Sequence, residues 1–292
     1  MLDVLKLLLL SMRPKQWAKN AIVYAGVVFA GHLSEFRYLA YATLGFIFFC
    51  AVSSAVYLLN DLVDIEKDRK HPRKCKRPLA SGRLKPPYAV IMLFLLLGIT
   101  LPASFLLQPI FGLVILGYFI LQLGYTFYLK NIVILDVFAI ATGFVLRAVA
   151  GAVVIEVKIS PWLLVCTMLL ALFQALSKRR HELVLLADEA TDHRKILKEY
   201  SNELVQEMIS VVTSAVVVTY SLYTITAENV PKNYMMALTI PFVLYGIFRY
   251  LYLVYRKDEG GSPEELLLKD LPLLVDILLW GGSSVIILYF FR

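Results

Sequence analysis

The sequence predicts an all-α, polytopic membrane protein. Of its 292 residues, 59% are hydrophobic and 17% are charged, whereas soluble domains are about 45–50% apolar and about 25% charged. The apolar residues also form long runs divided by short charged segments, and a run of about 20 apolar residues matches the hydrocarbon thickness of a bilayer. These two observations favour a membrane bundle over a soluble all-helical domain.

Nine apolar runs are candidate spanning helices. Helices are expected because a backbone in lipid must satisfy its own hydrogen bonds, and the runs lack the strict alternation of a transmembrane β-barrel. We predict one integral membrane domain over residues 1–292, with no separate soluble domain. The predicted spans are 17–33, 36–59, 87–107, 109–128, 136–155, 160–178, 204–226, 233–254 and 271–291. The first of them is the shortest.

Positive charges fall mostly on one side of these nine spans. The N-terminal side carries 23 Lys and Arg residues, and the opposite side carries four, at Arg37, Lys158, Lys232 and Arg292. Because cytoplasmic loops are enriched in Lys and Arg, we predict a multi-pass plasma-membrane protein with a cytoplasmic N-terminus and a cytosol-facing site. The same bias accounts for most of the net charge of +7, so no nucleic-acid partner is implied.

The second span ends in an acidic motif, NDLVDIEKD, over residues 60–68. On a helix that continues from this span, Asp61, Asp64 and Asp68 share one face, with Asn60 beside Asp64. Aligned carboxylates repel each other unless a cation lies among them, and Mg²⁺ takes oxygen ligands and bridges carboxylates to phosphates. A solvated helix end paired with nearby basic residues is the alternative, but the position at the membrane boundary favours function. We therefore predict all four as Mg²⁺ ligands and the three aspartates as catalytic.

Nine Lys and Arg residues lie in the loop that contains and follows this motif. Phosphate oxygens on a metal-bound substrate need further positive charge, and arginine can contact them with two nitrogens at once. Pro78 and Gly82 predict a shaped loop rather than a longer helix. The candidate phosphate contacts in the loop are Arg69, Lys74, Lys76 and Arg77.

Arg147 is the most informative charge inside a span. It follows Asp136 by eleven residues, which brings both to nearly the same helix face, and an arginine in a membrane must be paired or face water. A structural tether to Asp136 or to a carbonyl and a phosphate-binding role both remain open. Gly143 and Gly151 on the same span suggest close helix packing.

The other substrate-binding candidates lie at the same membrane side. Lys15 and Lys19 open the first span and either anchor the interface or meet a lipid headgroup. At the end of the sixth span, Lys178 and Glu182 are one turn apart and could pair. Asp188 and Asp192 form a weaker acidic spacing in the loop that follows. The remaining candidates are Tyr57, Tyr128, Lys130 and Arg179.

The motif over residues 60–68 resembles the first aspartate-rich motif, N-D-x-x-D-x-x-x-D, of the UbiA superfamily of intramembrane prenyltransferases. The resemblance covers essentially the whole chain and implies a nine-helix bundle with a cytosol-facing active-site cavity. Within the superfamily, further segments are similar to a branch that transfers phosphoribosyl groups. These segments are RPKQWAKN at 13–20, the continuation of the motif to residue 82, LK at 129–130, LRAVAG at 146–151, KRRHEL at 178–183 and GSPEELLLKD at 261–270.

The resemblance implies Mg²⁺-dependent transfer of a 5-phosphoribosyl group from phosphoribosyl diphosphate to a polyprenyl (decaprenyl) phosphate, in the supply of cell-wall arabinan precursors. Aromatic prenyltransferases of the superfamily carry a second aspartate-rich motif after the sixth helix, where this chain has the basic segment SKRRHEL. A UbiA-type aromatic prenyltransferase that uses a polyprenyl diphosphate is the alternative, and a transporter is a distant one. The sequence leaves open whether the chain forms a homo-oligomer.

Overall fold

The structure is a computed structural model that describes residues 2–72, 74–185, 195–257, 261, 266–267 and 269–291. Its described elements are helical. The α-helices are α1 (Leu2–Ser11), α2 (Ala25–Ala30), α3 (Phe36–Val63), α4 (Ile65–Lys70), α5 (Pro86–Leu107), α6 (Pro109–Phe127), α7 (Leu135–Val154), α8 (Pro161–Leu185), α9 (Asn202–Thr226), α10 (Ile240–Arg256) and α11 (Leu271–Phe290). The 3₁₀ helices cover Pro14–Tyr24, Lys74–Lys76, Leu129–Asn131, Lys195–Glu199 and Met235–Thr239.

Eight helices in the described part of the chain are long and apolar enough to cross a membrane. They are α3, α5, α6, α7, α8, α9, α10 with the 3₁₀ turn before it, and α11. They correspond to the second to ninth predicted spans, so the prediction of an all-helical integral membrane protein is confirmed.

The predicted first span, 17–33, does not form one continuous α-helix. The chain is a 3₁₀ helix over Pro14–Tyr24 and then the six-residue α2. Its polar side chains bind the neighbouring helix: Trp17 Nε1 donates to Ser54 Oγ at 3.0 Å, and Asn20 Nδ2 donates to Ser53 Oγ at 3.2 Å. These contacts hold the segment against α3 in a shape that a regular spanning helix would not have, and the count of nine spans stays a prediction.

Long helices that follow each other along the chain pack side by side. Two of the apolar cores share α7. One is built around Phe49, Phe111 and Ile115 and joins the N-terminal segment, α3 and α6 to α7. The other is built around Phe173 and Ile209 and joins α8 to α11 with α7. We call the end of the bundle where α3 ends and α5 begins the site end.

Close contact between α7 and the N-terminal segment depends on glycine. A Cβ atom on Gly151 would lie 1.9 Å from the carbonyl oxygen of Val23, and one on Gly26 would lie 2.9 Å from the backbone nitrogen of Ala152. Neither position can hold a larger residue without moving backbone, so the packing role suggested for Gly151 is confirmed. A Cβ on Gly143 would meet Gln122 Nε2 at 3.2 Å.

Candidate active site

The acidic motif lies at the site end, but not on one continuous helix. α3 ends at Val63, Asp64 has φ −99° and ψ 15°, and the short α4 begins at Ile65. The expectation of three carboxylates aligned on one helix face is therefore wrong. The break divides them between two groups of basic side chains, because Asp61 and Asp68 turn towards one partner and Asp64 turns towards another.

Asp61 and Asp68 share one guanidinium group. Arg77 Nη1 donates to Asp61 Oδ1 at 3.1 Å and to Asp68 Oδ2 at 2.5 Å. Arg13, just before the first 3₁₀ helix, also donates to Asp61 Oδ1, and Lys74 Nζ lies 3.9 Å from Asp68 Oδ1. Both carboxylates are 3% exposed, so these two buried charges are balanced by three basic residues from two separate segments.

Asp64 is bound by the loop after α6. Lys130 Nζ lies 3.2 and 3.1 Å from the two carboxylate oxygens of Asp64, and Lys67 Nζ lies 3.9 Å from one of them. One turn earlier, the hydroxyl of Thr126 donates to the side-chain oxygen of Asn60. α6 and the loop after it thus each contribute one side chain to the acidic motif, and the predicted site residue Lys130 is part of the cluster.

Mg²⁺ prefers oxygen ligands such as those that Asn60, Asp61, Asp64 and Asp68 offer. Arg77 Nη1 lies between the oxygens of Asp61 and Asp68, which shows that the pair requires a cation there. In the described conformation basic side chains bind these carboxylates. Within the described ranges, no three His, Cys, Asp or Glu side chains lie close enough together to hold a metal ion. The four side chains offer the oxygen ligands of an Mg²⁺ site, and their role as its ligands stays a prediction.

The other predicted residues of this loop lie at its edge. Arg69 is exposed, donates to Glu66 Oε1 at 2.6 Å and reaches the carbonyl of Ala80 at 3.3 Å. Gly82 has φ 74°, a conformation that favours glycine, so the predicted loop is confirmed. The predicted contacts Lys15, Tyr128 and Lys178 are exposed, and Lys19 is partly exposed.

Arg147 lies in a buried polar pocket between the N-terminal segment, α6 and α7. It donates to Asn20 Oδ1 at 2.7 Å, to the Gly143 carbonyl at 2.8 Å and to the Tyr118 hydroxyl at 2.8 Å. It is 5% exposed, and its guanidinium carbon lies 4.7 Å from the centre of the Tyr118 ring. The carbonyl tether is confirmed. The tether to Asp136 is wrong, because Asp136 binds another arginine.

That arginine is Arg179 on α8. Its Nε donates to Asp136 Oδ2 at 2.7 Å, and its Nη1 donates to Glu182. The spacing had suggested that Glu182 pairs with Lys178, but Glu182 binds Arg179 instead. Arg179 is 3% exposed, and its ion pair with Asp136 ties α8 to α7, while Glu182 on the same helix binds its other side.

Three residues near the site were not among the predicted site residues. Tyr200 donates to Asp136 Oδ1 at 2.7 Å, and burial together with this hydrogen bond raises its pKa, so the hydroxyl stays a neutral donor. The others are Thr126 and Arg13. The guanidinium carbon of Arg13 lies 4.9 Å from the centre of the Tyr57 ring, a cation–π contact. The position of Arg13 in the basic segment at 13–20 was a usable signal, whereas nothing local marks Tyr200 or Thr126. The predicted acids Asp188 and Asp192 lie outside the described residues.

The long apolar helices and the single polar end are those of an integral membrane protein with a site at one end of its bundle. A family model described as the UbiA prenyltransferase family matches residues 21–267, and the chain belongs to that family. It is 34% identical over 287 residues to the decaprenyl-phosphate phosphoribosyltransferase of Corynebacterium glutamicum, covering 96% of this chain and 86% of that protein. It is 33% identical to the protein of the same name from Mycolicibacterium smegmatis, over 97% and 92% of the two chains.

Solved structures show the same fold. A UbiA homolog from Archaeoglobus fulgidus bound to GPP and Mg²⁺ superposes with a TM-score of 0.74 at 17% identity, covering 97% of this chain and 99% of that one. A digeranylgeranylglyceryl phosphate synthase structure has a TM-score of 0.66 at 18% identity, covering 99% of both chains. At these identities the likeness concerns the fold.

Proposed function

We propose that this protein transfers a 5-phosphoribosyl group from phosphoribosyl diphosphate to a polyprenyl phosphate, such as decaprenyl phosphate, and releases diphosphate. The observation that carries the proposal is identity of about one third, over more than nine tenths of the chain, to relatives named for that activity. The site supports it, because buried acids and numerous basic side chains meet at one end of an apolar bundle. Such a site suits a water-soluble, highly anionic donor and a lipid acceptor.

In this proposal Asn60, Asp61, Asp64 and Asp68 hold Mg²⁺. A bound Mg²⁺ would neutralise charge on the leaving diphosphate. The structure of a family member with GPP and Mg²⁺ supports a divalent ion in the family. The basic side chains that now bind these carboxylates, Arg77 and Lys130 above all, would then face phosphate oxygens.

The bond changes need little proton chemistry. The C1–O bond to the diphosphate breaks, and an oxygen of the lipid phosphate forms the new bond to C1 of the ribose. That oxygen is already ionised, so no general base is required. As the bond breaks, the ribose gains oxocarbenium character, which the carboxylates nearby would stabilise.

We propose separate roles for the outer basic residues. Exposed Lys15 and Lys178 and partly exposed Lys19 would meet the lipid phosphate or the donor's 5-phosphate, while buried Arg179 would hold α8 against α7 through Asp136. Arg69, Lys74, Tyr57, Tyr128, Arg147 and Glu182 complete the proposed substrate-binding set.

We further propose that one membrane domain with nine spans places this site on the cytoplasmic face of the plasma membrane. The prenyl tail would lie along the apolar helices. In a host with an arabinan-containing wall, the product would supply arabinan precursors.

The test uses purified protein, Mg²⁺, labelled phosphoribosyl diphosphate and decaprenyl phosphate. We expect a labelled lipid from the native chain and about 100-fold less from Asp64→Asn, because the variant loses a charged group at the reacting centre. Asp3→Asn, an exposed acid on α1, is the matched control and should retain full activity.

Two results would contradict the proposal. Absence of labelled lipid together with prenyl transfer from a prenyl diphosphate to 4-hydroxybenzoate would place the protein among the aromatic prenyltransferases. Substrate flux in proteoliposomes without Mg²⁺ would favour the transporter.

A further inference from the structure

The loop between α6 and α7 contains a strained turn. Ile134 has φ 70° and ψ −45°, and the N–H of Leu135 donates to the carbonyl of Val133 at 2.8 Å. This is the positive-φ form of the γ-turn, which is rare and strained. A β-branched residue makes the conformation costlier still. Such a backbone persists only where surrounding contacts hold it in place.

Tyr200 supplies a contact of this kind. Its hydroxyl oxygen accepts the N–H of Ile134 at 2.8 Å and its proton is donated to Asp136 Oδ1 at 2.7 Å. Tyr200 is 4% exposed and Asp136 is fully buried, and Asp136 also receives Arg179 Nε at 2.7 Å. The hydroxyl therefore lies within a fixed network, and it joins the segment before α9 to the start of α7.

The turn lies four residues after Lys130, whose side chain binds both oxygens of Asp64. The intervening chain is short and hydrogen-bonded, with the N–H of Ile132 donating to Leu129 and the N–H of Asp136 donating to Ile132, both at 3.1 Å. A change of φ at Ile134 would redirect this chain relative to α7. The position of Lys130 over the acidic motif thus depends on the turn.

We infer that Tyr200 is a positioning residue whose hydroxyl holds the strained turn at Ile134 and so sets Lys130 against Asp64. The consequence for turnover rests on the proposed phosphoribosyl transfer. The consequence for the loop does not, because the hydrogen bond to Ile134 can be measured by itself.

Tyr200→Phe removes the hydroxyl and keeps the ring. Hydrogen–deuterium exchange in a peptide covering residues 129–136 should become about tenfold faster, because a protecting hydrogen bond is lost. In the transfer assay, the KM for phosphoribosyl diphosphate should rise about tenfold, since Lys130 is a proposed phosphate contact. A general loss of folded protein would instead lower kcat and leave KM unchanged.

Tyr220→Phe is the matched control. Tyr220 is a buried tyrosine near the far end of α9. Its hydroxyl forms hydrogen bonds with Thr239 at 2.6 Å and Trp280 at 2.7 Å. Its loss should change neither the exchange of residues 129–136 nor the KM.

Ile134→Gly tests the strain itself. Glycine adopts positive φ without a steric cost, so the turn should no longer depend on the hydroxyl. In the Ile134→Gly background, adding Tyr200→Phe should raise KM less than about threefold. If Tyr200→Phe alone does not fold, comparing the double variant with Ile134→Gly still shows whether the Tyr200 hydroxyl is needed once the strain at residue 134 is relieved.

Unchanged exchange in Tyr200→Phe, or an equal rise in KM in both backgrounds, would overturn the inference. If the native protein transfers no phosphoribosyl group, the proposed function fails, while the exchange of residues 129–136 still decides whether Tyr200 holds the turn.

Discussion

At the scale of single residues, the site is organised by cations that serve more than one acid. One nitrogen of Arg77 binds Asp61 and Asp68, and Arg13 adds a second guanidinium to Asp61. Two buried carboxylates this close together would repel each other without a cation. The same demand for positive charge makes the cluster suitable for Mg²⁺ and phosphate.

Arg77→Gln should lower both stability and activity. We expect the free energy of unfolding to fall by about 2 kcal/mol, below the usual cost of breaking a buried pair, because Arg77 is partly exposed and Arg13 remains. The measurement is the apparent unfolding temperature in detergent, together with the transfer assay.

Arg83→Gln, an exposed arginine of the same loop, should change the free energy of unfolding by less than about 0.5 kcal/mol. Equal unfolding temperatures for Arg77→Gln and the native protein would show that Arg77 does not balance the buried acids.

At the scale of elements, α7 is the helix on which both halves of the bundle depend. It belongs to both apolar cores, and it carries Asp136 at its first turn and Arg147 in its middle. Arg147 binds the N-terminal segment through Asn20 and α6 through Tyr118. The N-terminal segment reaches α7 closely enough for these bonds only because Gly26 and Gly151 lack side chains.

Gly151→Ala should therefore destabilise the fold by about 3 kcal/mol, because the added Cβ would overlap the Val23 carbonyl and force backbone to move. Gly117→Ala on α6 is the matched control: apart from its chain neighbours and the backbone of its own helix, no atom lies within 4 Å of its added Cβ, and alanine favours helix.

Thermal unfolding of both variants in detergent checks this prediction. A Gly151→Ala protein as stable as Gly117→Ala would mean that α7 and the N-terminal segment can separate at no cost.

At the scale of the whole molecule, the polar chemistry lies at one end. The acidic motif, the loop that carries Lys130 and the Arg179 network all lie where α3, α6 and α8 end. Bonds at the opposite end instead join α2 and the turn after it to the C-terminal half of the chain: Asn229 donates to the Phe29 carbonyl, and the Leu33 N–H donates to the Tyr289 hydroxyl. The proposed reaction joins a soluble donor to a membrane lipid, which suits a site with its polar groups at one end of the bundle.

The predicted orientation can be tested with cysteine labelling. In a Cys166→Ala background, partly exposed Cys75 at the site end should react with a membrane-impermeant maleimide in inside-out vesicles but not in intact cells, because positive-inside loops are cytoplasmic. Cys50 is buried and should stay unlabelled.

Lys232→Cys, at an exposed position of the opposite end, combined with Cys75→Ser and Cys166→Ala, provides the reciprocal control and should react in intact cells. The reverse pattern would place the site outside the cell.

Hydropathy and residue type are sufficient to predict the spans, the acidic motif and the basic loop around it. These features depend on transfer of side chains into lipid and on helix periodicity, which are local properties of the chain. For that reason the second to ninth predicted spans agree with the structure to within a few residues at most ends. Arg77 and Lys130, which were predicted as phosphate contacts, bind the carboxylates of the acidic motif in the structure.

The pairing of side chains was decided only by tertiary packing. Spacing along α7 suggested Asp136 for Arg147, yet the rotation of α8 against α7 gives Asp136 to Arg179. Tyr200 meets Ile134 across 66 residues of sequence, and no local pattern encodes that contact. Sequence distance and helix rotation are independent of hydropathy, so the composition of the chain determines where the site is built, and the packing of its helices determines which charges meet there.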